Sequence, residues 1–77
     1  VYVLELFSFP NSPKRLTQPE SVGLRHLAFE VNNVEQIEQK MKALHVPIEP
    51  IRVDEFSNKK FTFITDPDGL PIEFYEK

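Results

Sequence analysis

The chain contains no cysteine. Disulfides therefore cannot staple it and thiol chemistry is excluded. The absence also suits a reducing compartment, so a cytoplasmic location is the expectation. No apolar run approaches the roughly 20 residues of a membrane span. No basic stretch followed by an apolar core opens the sequence, so no signal peptide is read. Basic excess is missing too: 9 Lys and Arg stand against 12 Asp and Glu, for a net charge of −3. The basic residues are scattered or paired, as at Lys14-Arg15 and Lys59-Lys60. Without a basic stripe or aromatic interleaving, a nucleic-acid partner is not expected. At 77 residues the chain makes one domain at most. A domain of that size buries only about 60% of its unfolded surface, so its stability is marginal.

What is present is organised around Asp66-Pro67-Asp68-Gly69. Pro67 presets φ for the first corner of a turn, Asp66 can bond back to the turn backbone, and Gly69 accepts a left-handed φ. Apolar runs at 61–65 and 70–75 flank it, which predicts a β-hairpin. Alternation then puts Ile72 and Phe74 on one face of the second strand and Glu73 and Tyr75 on the other. Glu73 either carries chemistry or faces water on a one-sided sheet. Glu76, near the chain end, is expected to be exposed.

Positions 1–9 alternate as a strand that is apolar on both faces. Its one charge, Glu5, must be paired, coordinate a metal or reach solvent at an edge. Positions 10–21, with Pro10, Pro13 and Pro19, read as a linker. Lys14 and Arg15 there either meet an acidic or phosphate ligand or form a solvated pair. Positions 22–31 predict a second strand, with Leu27, Phe29 and Val31 on one face and Leu24, His26, Ala28 and Glu30 on the other. His26 is a ligand or a structural histidine.

Positions 33–45 predict a helix. Asn33 is a candidate N-cap and Gln36 completes a capping box. Val34, Ile37, Met41 and Leu44 form an apolar stripe expected to pack on the Leu27/Phe29/Val31 face. Pro47 stops the helix. His45 at its end is a pH sensor, a complement to the helix dipole, or an exposed cap. A strand over 48–56, irregular because of Pro50, leads into an acidic turn at Asp54 and Glu55. That pair is a candidate metal site or simply a solvated turn. The order from position 22 onward is β-α-β-β-β.

Three stretches together resemble the vicinal oxygen chelate superfamily, which contains glyoxalase I, extradiol dioxygenases and the bleomycin- and fosfomycin-resistance proteins. Gly23 to Val31, containing His26, looks like the opening strand of a second module. Phe61 to Gly69 followed by Pro71-Ile72-Glu73 looks like its closing hairpin. Val3 to Phe7 looks like the last strand of a first module. The likeness is greatest to lactoylglutathione-lyase-like bacterial proteins, of which this chain looks like the C-terminal part. The resemblance implies an α+β fold: a single βαβββ module plus a preceding strand from a missing first module, half of a two-module cup. The implied domains are 1–9, the last strand of the first module; 10–21, a linker; and 22–77, the second module.

The resemblance further implies a divalent metal, Zn²⁺, Ni²⁺, Mn²⁺ or Fe²⁺, held by Glu5, His26 and Glu73. The remaining ligand would lie in the absent first module. It implies isomerisation of a hemithioacetal of methylglyoxal and a thiol, with Glu73 as the catalytic base. Partners would be a small-molecule substrate and either a second copy of the chain or the missing module. A non-catalytic alternative is a resistance-type module that sequesters a drug in a cleft lined by Phe7, Phe63 and Tyr75. Ring-cleaving dioxygenases use two histidines and one carboxylate, and Glu5 in place of a histidine argues against that chemistry. Leu70 also departs from the aromatic residue that often follows the turn in glyoxalases.

Overall fold

In the computed structural model, residues 3–16 and 24–77 are described. Strand β1 (Leu27–Val31) is followed by helix α1 (Val34–Ala43), then by β2 (Arg52–Val53), β3 (Lys60–Thr65) and β4 (Pro71–Glu76). The four strands form one sheet in the order β1-β4-β3-β2. The last strand is thus inserted between the first and the third. It runs parallel to β1 and antiparallel to β3. One helix on one sheet is the expected α+β module.

The turn that closes the hairpin forms as its residues dictate. Asp66 Oδ1 accepts from the backbone N–H groups of Asp68 at 2.9 Å and Leu70 at 2.8 Å. Gly69 takes φ +92°, a left-handed conformation that a side chain would strain, and its N–H donates to the Asp66 carbonyl. The cap forms likewise: Asn33 is extended and its Oδ1 accepts from Gln36 N–H at 3.0 Å.

At the other end of α1, His45 N–H donates to the Lys42 carbonyl and Val46 N–H to the Met41 carbonyl. This is a Schellman arrangement, and it places His45 at the left-handed position with φ 59°. The expected cap is therefore made by the His45 backbone. A non-glycine residue there carries roughly 1 kcal/mol of strain. His45→Gly is accordingly expected to stabilise the protein by up to about 1 kcal/mol, read as a higher urea midpoint at unchanged slope.

The register fixes the two faces of the sheet. Leu27, Ile72 and Ile64 stand in one row, and Phe29, Phe74 and Thr62 in the next. This face meets the helix. Thr62 and Val34 are fully buried, and the Lys60 ammonium pairs with Glu35 on α1. That contact holds the Glu35 carboxyl below the usual carboxylate range and raises the Lys60 ammonium. Thr62 Oγ1 donates to the Glu49 carbonyl at 2.8 Å, stitching the segment before β2 to the sheet.

Several expectations need correction. Residues 3–9 form no strand, and their side chains are exposed. An alternating apolar sequence needs a neighbouring ladder, and no strand of this sheet pairs with it. The strand expected over 22–31 begins at Leu27; positions 22 and 23, like 1, 2 and 17–21, lie outside the described residues. The strand expected over 48–56 reduces to Arg52–Val53, since Pro50 offers no N–H for a ladder. The helix packs mainly over β4 and β3 rather than on β1. Insertion of β4 moves the middle of the sheet away from β1, and Phe29 is left 42% exposed. Leu44 drops out of the apolar stripe because it is the C-cap and faces solvent. Glu76 is half-buried and accepts from Lys60 N–H at 2.9 Å.

Candidate functional site

The face turned away from the helix carries Ala28 and Glu30 from β1, Glu73 and Tyr75 from β4, and Phe61 and Phe63 from β3. Glu73 sits in the strand that is paired along both edges, opposite Ala28 on one side and Phe63 on the other. Two ladders fix its backbone, and the small Ala28 leaves room beside it. His26 lies immediately before β1, and its Nε2 is 3.3 Å from Glu73 Oε1. The imidazole also sits edge-to-face on Phe63, with centroids 5.5 Å apart and planes at 71°. The side chain of Glu73 is 16% exposed and that of His26 43%. A carboxylate on a rigid central strand thus meets an imidazole held by an aromatic ring, and the pair remains open to solvent on the imidazole side.

Of the three residues implied as metal ligands, the structure brings together His26 and Glu73. Glu5 stands apart on the exposed segment 3–9, and no group of three ligating side chains forms among the described residues. The cleft implied by the drug-binding alternative does not form as expected. Phe7 lines a cavity of about 640 Å³ with Lys14, Arg15 and Gly69. Phe63 lines a second with Pro47 and Ile48, and Tyr75 a third with Glu73. Arg15 Nη2 donates to the Arg25 carbonyl at 3.0 Å.

Two features of this face escaped the sequence reading. The guanidinium of Arg52 lies 5.0 Å from the Phe61 centroid and 5.8 Å from that of Phe63, a cation–π contact across β2 and β3. Glu49 pairs with the same group at 3.7 Å. Second, Asp54 serves the turn rather than a metal group. Its Oδ1 accepts from Phe56 N–H at 2.8 Å and Ser57 N–H at 3.4 Å, and Oδ2 accepts from the Tyr75 hydroxyl at 3.0 Å. The Asp-Glu-Phe-Ser-Asn sequence is a readable Asx-turn signal; the Tyr75 tie depends on a register that no local pattern carries.

The Phe56 N–H foremost, then the Tyr75 hydroxyl, hold the Asp54 carboxyl below its ordinary range. A depressed carboxyl contributes stability above its unfolded pKa, and that contribution is lost as pH falls through the folded value. Protection of the Phe56 amide from hydrogen exchange, corrected for intrinsic rates, is therefore expected to hold from neutral pH to about pH 4 and to collapse below it.

The fold and this face define a class: an α+β module whose inserted last strand presents a carboxylate beside an imidazole from the approach to its first strand. Residues 2–74 match the family model described as the Glyoxalase/Bleomycin resistance protein/Dioxygenase superfamily, and the chain belongs to that superfamily. It is 51% identical over 76 residues to Uncharacterized protein YwkD of Bacillus subtilis (strain 168), a match covering 99% of this chain and 59% of that protein. The chain thus spans about three fifths of the length of that curated relative. Among solved structures, the glyoxalase family protein from Enterococcus faecalis superimposes with a TM-score of 0.80 at 47% identity, over 86% of this chain and 52% of that one. Lactoylglutathione lyase from Agrobacterium tumefaciens shares the fold, with a TM-score of 0.62 at 21% identity over 94% of this chain and 52% of its own. No helix among the described residues is long and apolar enough to cross a membrane.

Proposed function

We propose that the chain is the second half of a glyoxalase-I-like metalloenzyme that isomerises the hemithioacetal of methylglyoxal and a thiol to a thioester. The observation that carries this reading is the apposition of His26 and Glu73, 3.3 Å apart on the helix-free face. Membership of the superfamily and the half-length match to the Enterococcus faecalis structure support it.

The donor set fits two positions of a divalent site: one imidazole nitrogen and one carboxylate are ligands that Zn²⁺, Ni²⁺, Mn²⁺ and Fe²⁺ all accept. Glu5 is the third donor in this proposal, with the segment 3–9 taken up by the sheet of a first module, and the remaining donor comes from that module. When bound, the cation supplies Lewis acidity to the two adjacent substrate oxygens. His26 holds its ring by the edge contact with Phe63 and offers nitrogen. Glu73 removes the proton from the carbon bearing sulfur and returns it to the neighbouring carbon. The hydroxyl proton passes to the former carbonyl oxygen. Substrate and product are isomers, so no oxidant or reductant enters.

The test is titration of the intact, metal-stripped protein with each of the four cations, with thioester formation followed by absorbance. One cation per site and turnover that appears only with metal are expected. Turnover indifferent to chelation sinks the reading. So does the absence of both metal binding and turnover, and the drug-sequestering alternative then takes its place.

A further inference from the structure

The loop of residues 54–59, between β2 and β3, is closed by hydrogen bonds of its own. Asp54 N–H donates to the Lys59 carbonyl, the Asp54 carbonyl accepts from Asn58 N–H, and Lys59 N–H donates to Ser57 Oγ. Asn58 takes the left-handed conformation that closes the turn, with φ 60°. Onto this compact loop Tyr75 makes two contacts: its hydroxyl donates to Asp54 Oδ2 and meets Ser57 Oγ. The Tyr75 ring stacks on Phe61, with centroids 6.2 Å apart and planes at 17°. Tyr75 stands two residues after Glu73 on the same strand, so both side chains leave the sheet on the same side.

The consequence is an open surface hollow lined by Glu73, Phe61 and Tyr75 of the sheet and by Asp54, Glu55 and Phe56 of the loop. Phe56 lies at its edge with 92% of its surface exposed. A large apolar side chain held in water by an ordered turn has nothing among the described residues to bury it. The loop hydrogen bonds would form as well with a polar residue at 56, since only the Phe56 backbone takes part in them.

We infer that Tyr75 is a positioning residue, which ties loop 54–59 to the sheet as a wall beside Glu73, and that Phe56 on this wall is the contact for an apolar, non-reacting arm of the substrate. The inference rests on the reading of Glu73 as the reacting centre. The chemistry of the hollow defines the arm. Aromatic rings favour an apolar or aromatic group. The carboxylates of Asp54 and Glu55 at the same wall disfavour an anionic one.

The test uses Tyr75→Phe and Phe56→Ala in the intact, metal-loaded protein, with three readouts. The first is hydrogen exchange at the amides of 56 and 57, which should speed up in Tyr75→Phe. The second is steady-state turnover of hemithioacetals made with a neutral aryl thiol. Both variants should raise KM about fivefold while kcat falls by less than twofold, the scale of one lost tie or contact. The third is binding of thioanisole followed by the side-chain NMR signals of Phe61, which both variants should weaken similarly. Unaltered exchange in Tyr75→Phe overturns the tie. Faster exchange with KM and thioanisole affinity unmoved overturns the wall. If the parent protein turns over no hemithioacetal, the proposed reaction fails and thioanisole decides alone: weakened binding in both variants upholds the wall, and equal binding overturns it.

Discussion

Glu73→Gln is expected to lower turnover of the hemithioacetal by about 100-fold or more at saturating metal, the usual scale for loss of a positioned base. The substitution keeps the shape of the side chain and both flanking ladders, because Glu73 pairs through its backbone with Ala28 and Phe63. What it removes is charge and basicity. Two effects follow and they separate experimentally. An amide oxygen is a poorer ligand than a carboxylate, so more metal is needed to reach saturation. Once metal is saturated, the remaining deficit belongs to proton transfer. Glu5→Gln is expected to divide the other way, costing metal affinity more than saturated turnover, since Glu5 is proposed as a donor only. The measurement is thioester formation with metal titrated to saturation for each variant. A saturated Glu73→Gln protein that turns over like its parent reduces Glu73 to a ligand. Normal metal affinity in addition moves the site elsewhere.

What the sequence made legible here was local. The Asn33 cap on Gln36 and the Asp66 bonds to Asp68 and Leu70 join residues no more than four positions apart, and residue type alone announces them. Alternation around Leu27/Phe29 and Ile72/Phe74 was enough to set His26 and Glu73 opposite the helix face. It could not say that β4 enters the sheet beside β1, which is what turns two faces into one contact 3.3 Å long. That pairing joins residues 45 positions apart, as Ala28 and Glu73 show, and nothing near either residue encodes it. The same limit hid the Tyr75 tie to Asp54 and the Lys60 bond to Glu76. At positions 3–9 the alternation finds no ladder among the described residues, for a related reason. Alternation records what a strand would bury, and burial requires a second surface.

That missing surface leads to the other large expectation: in sedimentation at micromolar concentration, the 77-residue chain should associate rather than run as a stable monomer. Among the described residues only Val34 and Thr62 are fully buried. A core that small cannot offset the ordering cost of a domain of this length. Meanwhile Val3, Leu6, Phe7 and Phe9 are all largely exposed, and so is the outer edge of β1, which among the described residues pairs only with β4. Apolar side chains and an unpaired strand edge on one small molecule are surfaces that find partners. A second copy or a first module supplies both needs, pairing with the open edge of β1 and giving the segment 3–9 a ladder. If the partner is a second copy, unfolding is coupled to dissociation, and each tenfold rise in concentration adds about 1.4 kcal/mol per dimer. Spread over two chains of this size, that should raise Tm by roughly 3 to 6 °C. A concentration-independent Tm together with a monodisperse monomer in sedimentation would show that the thin core suffices alone, and would remove the physical reason for a second module.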